Sequence, residues 1–100
     1  MELHELLEQH IGTIVDVRSA NEFRMAHCQG ALSIPIEEME FRLNELRALT
    51  PPLILCCASG NRSGMAERRL KALGIACINA GSWMDITHWQ TQGDISYIPQ

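Results

Sequence analysis

The stretch Leu53-Ile54-Leu55-Cys56-Cys57-Ala58-Ser59-Gly60-Asn61-Arg62-Ser63 decides how this chain folds. An apolar run ends in cysteine, a loop of small residues follows, and a helical pattern begins beyond it. An uninterrupted apolar run is what a strand covered on both faces requires. A strand that stops at Cys57 and turns tightly into a helix aims several backbone N–H groups at one thiol. The helix start contributes roughly half a positive charge, and Arg62 adds a whole one. Such surroundings lower a thiol from about 8.5 into the range of about 3.5–7.5. Cys57 therefore reads as a nucleophile, and Ala58, Ser59, Gly60, Asn61, Arg62 and Ser63 as the loop that binds its substrate. Gly60 is free to take positive φ, which lets successive N–H groups converge on an anion or an outer sulfur.

The flanks repeat the alternation. Before this stretch, Leu3, Leu6, Leu7 and Ile11 recur at helical spacing up to Gly12, and Thr13-Ile14-Val15-Asp16-Val17 reads as a buried strand. Ser19 and Glu22 stand in capping-box positions for a second helix. Ala31-Leu32-Ser33-Ile34 reads as a short strand ended by Pro35. Ile36 to Leu49 predicts one continuous helix, with Met39, Leu43 and Leu46 on a single stripe. After the loop, a helix runs to about Leu73 with Ala66, Leu70 and Leu73 inward, and Gly74 stops it. Ile75-Ala76-Cys77-Ile78 predicts another strand, Gly81 a turn, and Trp83, Ile86 and Trp89 a last helix ending before Gly93. Strands alternating with helices predict an α/β fold: a mostly parallel sheet of four to five strands, helices on both faces, one domain over residues 1–100. Sites in such folds form beyond the carboxyl ends of the strands, where Cys57 falls.

Composition narrows the function. The chain has 100 residues, 46% of them hydrophobic, and a net charge of −4, which argues against a nucleic-acid partner. Between Asn61 and Lys71, Arg62, Arg68, Arg69 and Lys71 stand against Glu67, a balance of +3 that leaves −7 elsewhere. A local positive field beside the thiol favours a small anionic substrate. The start, Met-Glu-Leu-His-Glu, lacks the order of a signal peptide, and no apolar stretch approaches the ~20 residues of a membrane span. A reduced cytoplasmic setting without membrane contact is therefore expected, with Cys28, Cys56, Cys57 and Cys77 as free thiols. No Cys-x-x-Cys pair occurs and adjacent cysteines chelate poorly, so neither a metal nor another cofactor is expected.

Cys57-Ala58-Ser59-Gly60-Asn61-Arg62-Ser63 resembles the active-site loop of single-domain rhodaneses, sulfurtransferases that carry sulfur as a cysteine persulfide. Asp16-Val17-Arg18 with Glu22-Phe23, His27 and Gly30-Ala31-Leu32-Ser33-Ile34-Pro35 resembles the family's N-terminal motif. Asn79-Ala80-Gly81-Ser82 with Trp83, Trp89 and Gly93 resembles its C-terminal one. The resemblance runs from about Ile14 to Gly93. It implies that Cys57 takes sulfane sulfur from a small donor such as thiosulfate and passes it to a thiol, cyanide or a protein acceptor, a thioredoxin-like protein among them. Departures are Ala26-His27-Cys28 for the frequent Gly-His-Ile, and Ala80-Gly81 for Gly-Gly. Ala58 stands where several thiosulfate-using members have a basic residue, which leaves the physiological donor open. Two other readings remain. One is a silent or oxidant-sensing module that binds a partner. The other is a phosphatase counted from Cys56, because Cys56-x5-Arg62 has the loop length of related dual-specificity phosphatases. Alternation along a strand points Cys56 and Cys57 to opposite sides, which favours the sulfur-carrying register.

Overall fold

A computed structural model describes residues 1–93. Its elements are α1 (Leu3–Glu8), β1 (Thr13–Asp16), α2 (Ala20–Met25), β2 (Leu32–Ser33), a 3-10 helix (Ile36–Phe41), α3 (Leu43–Ala48), β3 (Leu53–Cys57), α4 (Asn61–Ala72), β4 (Cys77–Ser82) and α5 (Trp83–Gly93). The four strands form one parallel sheet in the order β2-β1-β3-β4. From β1 the chain moves outward to β2, then returns to place β3 on the other side of β1. The switch point therefore lies between β1 and β3, and the end of β3 opens onto it.

Side-chain alternation along β3 divides the interior into two. Leu53, Leu55 and Cys57 pack with Leu46 of α3, Ala66 and Leu70 of α4, and Ile36 and Met39 of the 3-10 helix. Ile54 and Cys56 pack on the opposite face with Leu6 of α1, Ile86 of α5 and Cys28. All five β3 residues are buried, which is why the run carries no polar residue.

The expected helix over Ile36–Leu49 is broken at Arg42. Pro35 leads into a 3-10 turn, in which three residues per turn put Ile36 and Met39 on one side. Arg42 has φ −123° and ψ 25°, and α3 starts after it. Its guanidinium reaches Glu38 and Glu45, on both sides of the break. The apolar stripe survives because the spacing of Ile36, Met39, Leu43 and Leu46 suits both geometries.

The strand expected at Ile75–Ile78 begins later, at Cys77, and continues through Gly81 to Ser82. Helix α4 ends in a double closure, Gly74 N–H to Lys71 O at 3.0 Å and Ile75 N–H to Leu70 O at 2.9 Å. That closure uses the Ile75 N–H, so sheet pairing starts with Leu53 opposite Cys77. Leu73, expected inward, sits at the exposed C-cap. Gly81, expected to open a turn, lies within β4 at φ +84°, where the pairing with β3 slips by one residue. Of Ala31–Ile34 only Leu32 and Ser33 pair as a strand, and the last helix includes Gly93.

Candidate active site

Helix α4 begins one loop after β3 ends, and the loop closes over Cys57. Gly60, its N-cap, takes φ +99°. A Cβ there would stand 3.3 Å from the Gly81 Cα, so the loop lies directly against the slipped part of β4. The Cys57 thiol is fully buried beneath the loop. The Gly60 N–H donates to Sγ at 3.0 Å and the Ser63 N–H at 3.4 Å, while the Ser63 Oγ lies 3.3 Å away. Burial pushes the thiol up. The Ser63 hydroxyl and the N–H groups of Ser63, Ser59 and Gly60 outweigh it and bring the thiol down to about 7.

The loop residues divide by position. Ser63 is buried, Gly60 and Arg62 are half-buried, and Ala58, Ser59 and Asn61 are exposed. Arg62 does not turn into the loop. It forms a two-pronged pair with Glu22 of α2, Nη1 to Oε1 at 2.7 Å and Nη2 to Oε2 at 3.1 Å. Glu22 also closes the α2 capping box with Ser19, as its position suggested. Held by Arg62 first and Ser19 next, its carboxyl falls to about 2. A positive charge expected beside the thiol is thus matched by a carboxylate forty residues away in sequence. Along α4, Lys71 is matched by Glu67 in the same way.

Asp16, the last residue of β1, and Arg18 just past it form a separate buried pair, with Nη2 to Oδ2 at 2.7 Å. Arg18 also donates to the Ala26 carbonyl at 2.7 Å and lies 4.9 Å from the centre of the Trp83 ring. This one guanidinium ties together the end of β1, the end of α2 and the start of α5. His27 stacks on Phe23 and keeps its Nδ1 against the Phe23 carbonyl, outside the loop.

Cys56 is on the far side of the sheet. The thiol of Cys28 and burial push its own thiol strongly up. Its sulfur faces the α1 and α5 side, so the loop closes on Cys57 alone.

Asn79 is the residue that sequence reasoning left without a role. Its Oδ1 accepts from the Ser63 hydroxyl at 2.7 Å and from the Gly81 N–H at 2.9 Å, and its Nδ2 donates to the Gly60 carbonyl at 3.1 Å. The signal was an Asn two residues before a Gly that needs positive φ, the pattern of a side chain closing its own turn. Among the described residues no cluster of three or more His, Cys, Asp or Glu side chains has the arrangement of a metal site.

The Cys57 thiol thus lies buried at the end of a parallel strand, with the Gly60 and Ser63 N–H groups donating to its sulfur. A family model for the rhodanese-like domain covers residues 1–88. The chain belongs to the rhodanese-like domain family. This rhodanese-like chain is 30% identical over 81 residues to the thiosulfate sulfurtransferase PspE of Escherichia coli, a match covering 79% of the chain and 78% of PspE. It is 43% identical over 61 residues, 61% of its length, to YrkF of Bacillus subtilis, whose name suggests sulfur carriage. The matches span 32% of YrkF and 48% of a second Bacillus subtilis relative, YqhL. Among solved structures, the human single-domain sulfurtransferase TSTD1 superposes with a TM-score of 0.66 at 26% identity, over 83% of this chain and 89% of that one. No described helix of the rhodanese-like chain is long and apolar enough to cross a membrane.

Proposed function

We propose that this rhodanese-like domain is a sulfurtransferase in which Cys57 is the catalytic residue. The observation that carries the reading is the set of donors converging on Cys57 Sγ from Gly60 and Ser63. A thiolate held this way is a nucleophile at neutral pH without a separate base. Sulfurtransferase relatives support the same chemistry. In the first half-reaction the Cys57 thiolate attacks the sulfane sulfur of a small donor. With thiosulfate, the new Sγ–S bond forms as the S–S bond of the donor breaks and sulfite departs with the electron pair. In the second half a thiol, cyanide or a protein acceptor attacks the outer sulfur, and Cys57 departs as thiolate. Loading and delivery are then separate steps, so the kinetics are ping-pong.

Ala58, Ser59, Gly60, Asn61, Arg62 and Ser63 form the cradle for the carried sulfur. Ser63 and Gly60 hold Sγ, and Arg62 fixes the loop through Glu22. Cys57 is fully buried, and Ala58 and Ser59 are the exposed residues that follow it in the loop. Replacing the cysteines one at a time tests the assignment. Cys57→Ser is expected to abolish transfer from every sulfane donor, and Cys56→Ser to keep most of it. Loss of transfer in Cys56→Ser, with Cys57→Ser still active, would overturn the reading in favour of the other register.

A further inference from the structure

Ser63 is fully buried, and its hydroxyl has one proton to give with two acceptors in reach. Cys57 Sγ lies 3.3 Å from Oγ, and Asn79 Oδ1 lies 2.7 Å from it. The Asn79 amide cannot turn over to offer a donor instead. Its Oδ1 already accepts the Gly81 N–H, and its Nδ2 already donates to the Gly60 carbonyl. Turned over, it would set NH2 against N–H and oxygen against oxygen. Asn79 therefore only accepts from Ser63.

These constraints give two complete arrangements. When Cys57 is a thiol, its S–H donates to Ser63 Oγ and the Ser63 hydroxyl donates to Asn79. When Cys57 is a thiolate, the sulfur has no proton and needs one more donor. The hydroxyl turns to it, and Asn79 Oδ1 keeps the Gly81 N–H. We propose that Asn79 is a positioning residue that holds the Ser63 proton while the Cys57 sulfur is uncharged and releases it when that sulfur carries charge.

The inference rests on the sulfur-transfer reading and says how the cradle follows the cycle. After loading, Sγ is bonded to the outer sulfur and uncharged, so the hydroxyl returns to Asn79. In delivery an acceptor thiolate R–S⁻ attacks the outer sulfur of Cys57–S–SH. The R–S–SH bond forms, the Sγ–S bond breaks, and Cys57 takes the electron pair as thiolate. The Ser63 hydroxyl turns back as that charge develops. A donor that meets the leaving sulfur only as it becomes charged lowers the barrier without stabilising the persulfide that precedes it.

Asn79 acts on the thiol through Ser63 and not through Gly60. The Gly60 carbonyl also accepts the Gly64 N–H at 2.9 Å, the first bond of α4, and keeps its place without the amide. The pH dependence of alkylation at the Cys57 peptide, followed by mass spectrometry in the full chain, tests this. Ser63→Ala is expected to raise the midpoint by about one pH unit, the worth of one lost hydrogen bond. Asn79→Ala is expected to lower it, because Ser63 then has no second acceptor. Ser63→Ala/Asn79→Ala is expected to match Ser63→Ala. A midpoint unchanged or raised in Asn79→Ala, or a double variant that departs from Ser63→Ala, overturns the proposal. Should Asn79→Ala not fold, Asn79→Leu, of similar shape and without an acceptor or a charge, takes its place. It is expected to lower the midpoint as well, and an unchanged or higher one counts against the proposal. The titration needs neither donor nor acceptor, so its failure is distinct from a failure of sulfur transfer.

Discussion

Burying a thiolate costs free energy unless donors replace the water it loses, and at Cys57 the donors come from a loop and a helix start rather than from a cation. With the thiol at about 7, its alkylation is expected to rise with pH and reach half its plateau near that value. The same shift couples to stability. Cys57 ionises more easily folded than unfolded, so it stabilises the fold fully above the unfolded value of about 8.5. That contribution is lost as pH falls through about 7. Urea midpoints between pH 6 and pH 9 are expected to rise in the wild type and to flatten in Cys57→Ser. Cys57 and its loop were legible because strand, glycine and helix start are contiguous. The partners of Arg62 and Ser63 were not, because Glu22 and Asn79 come from other elements and only folding brings them close.

Elements here are positioned by a few polar ties as much as by apolar burial. Arg18 and Asp16 are nearly or fully buried and satisfy one another, while Arg18 also holds the end of α2 through the Ala26 carbonyl. Arg18→Met leaves the Asp16 carboxylate buried without its partner, a change expected to cost about 3–5 kcal/mol in urea unfolding. A cost below ~1 kcal/mol would mean that water reaches Asp16. At the loop, Gly60→Ala forces a side chain to φ +99° against the Gly81 backbone. It is expected to cost at least ~1–2 kcal/mol and to move the alkylation midpoint of Cys57 upward. The existence of most elements was readable from period and punctuation. Their limits were not, because the break at Arg42 and the late start of β4 depend on where backbone N–H groups find acceptors.

Across the described residues, the parallel sheet separates two apolar layers and sets the Cys57 thiol in one of them, at the carboxyl end of β3. Leu70 on one layer and Ile86 on the other are both fully buried. Each substitution to alanine is expected to cost about 2–5 kcal/mol. Because the sheet lies between them, the double variant is expected to equal the sum within ~0.5 kcal/mol. Coupling larger than that would mean that the layers relax together. The sheet order also accounts for the address of the candidate site, since Cys57 ends β3 and Arg18 follows the end of the neighbouring β1 at the switch point. That address was legible from the alternation of strands and helices, whereas the order β2-β1-β3-β4 required the structure.

The most direct test of sulfur carriage is the mass of the Cys57 peptide after incubation with a sulfane donor, followed by a chase with excess acceptor thiol. One added sulfur atom on Cys57, removed by the chase and recovered on the acceptor, is the expected result. No added sulfur on Cys57 from thiosulfate or glutathione persulfide, or sulfur carried on Cys56 instead, would contradict it.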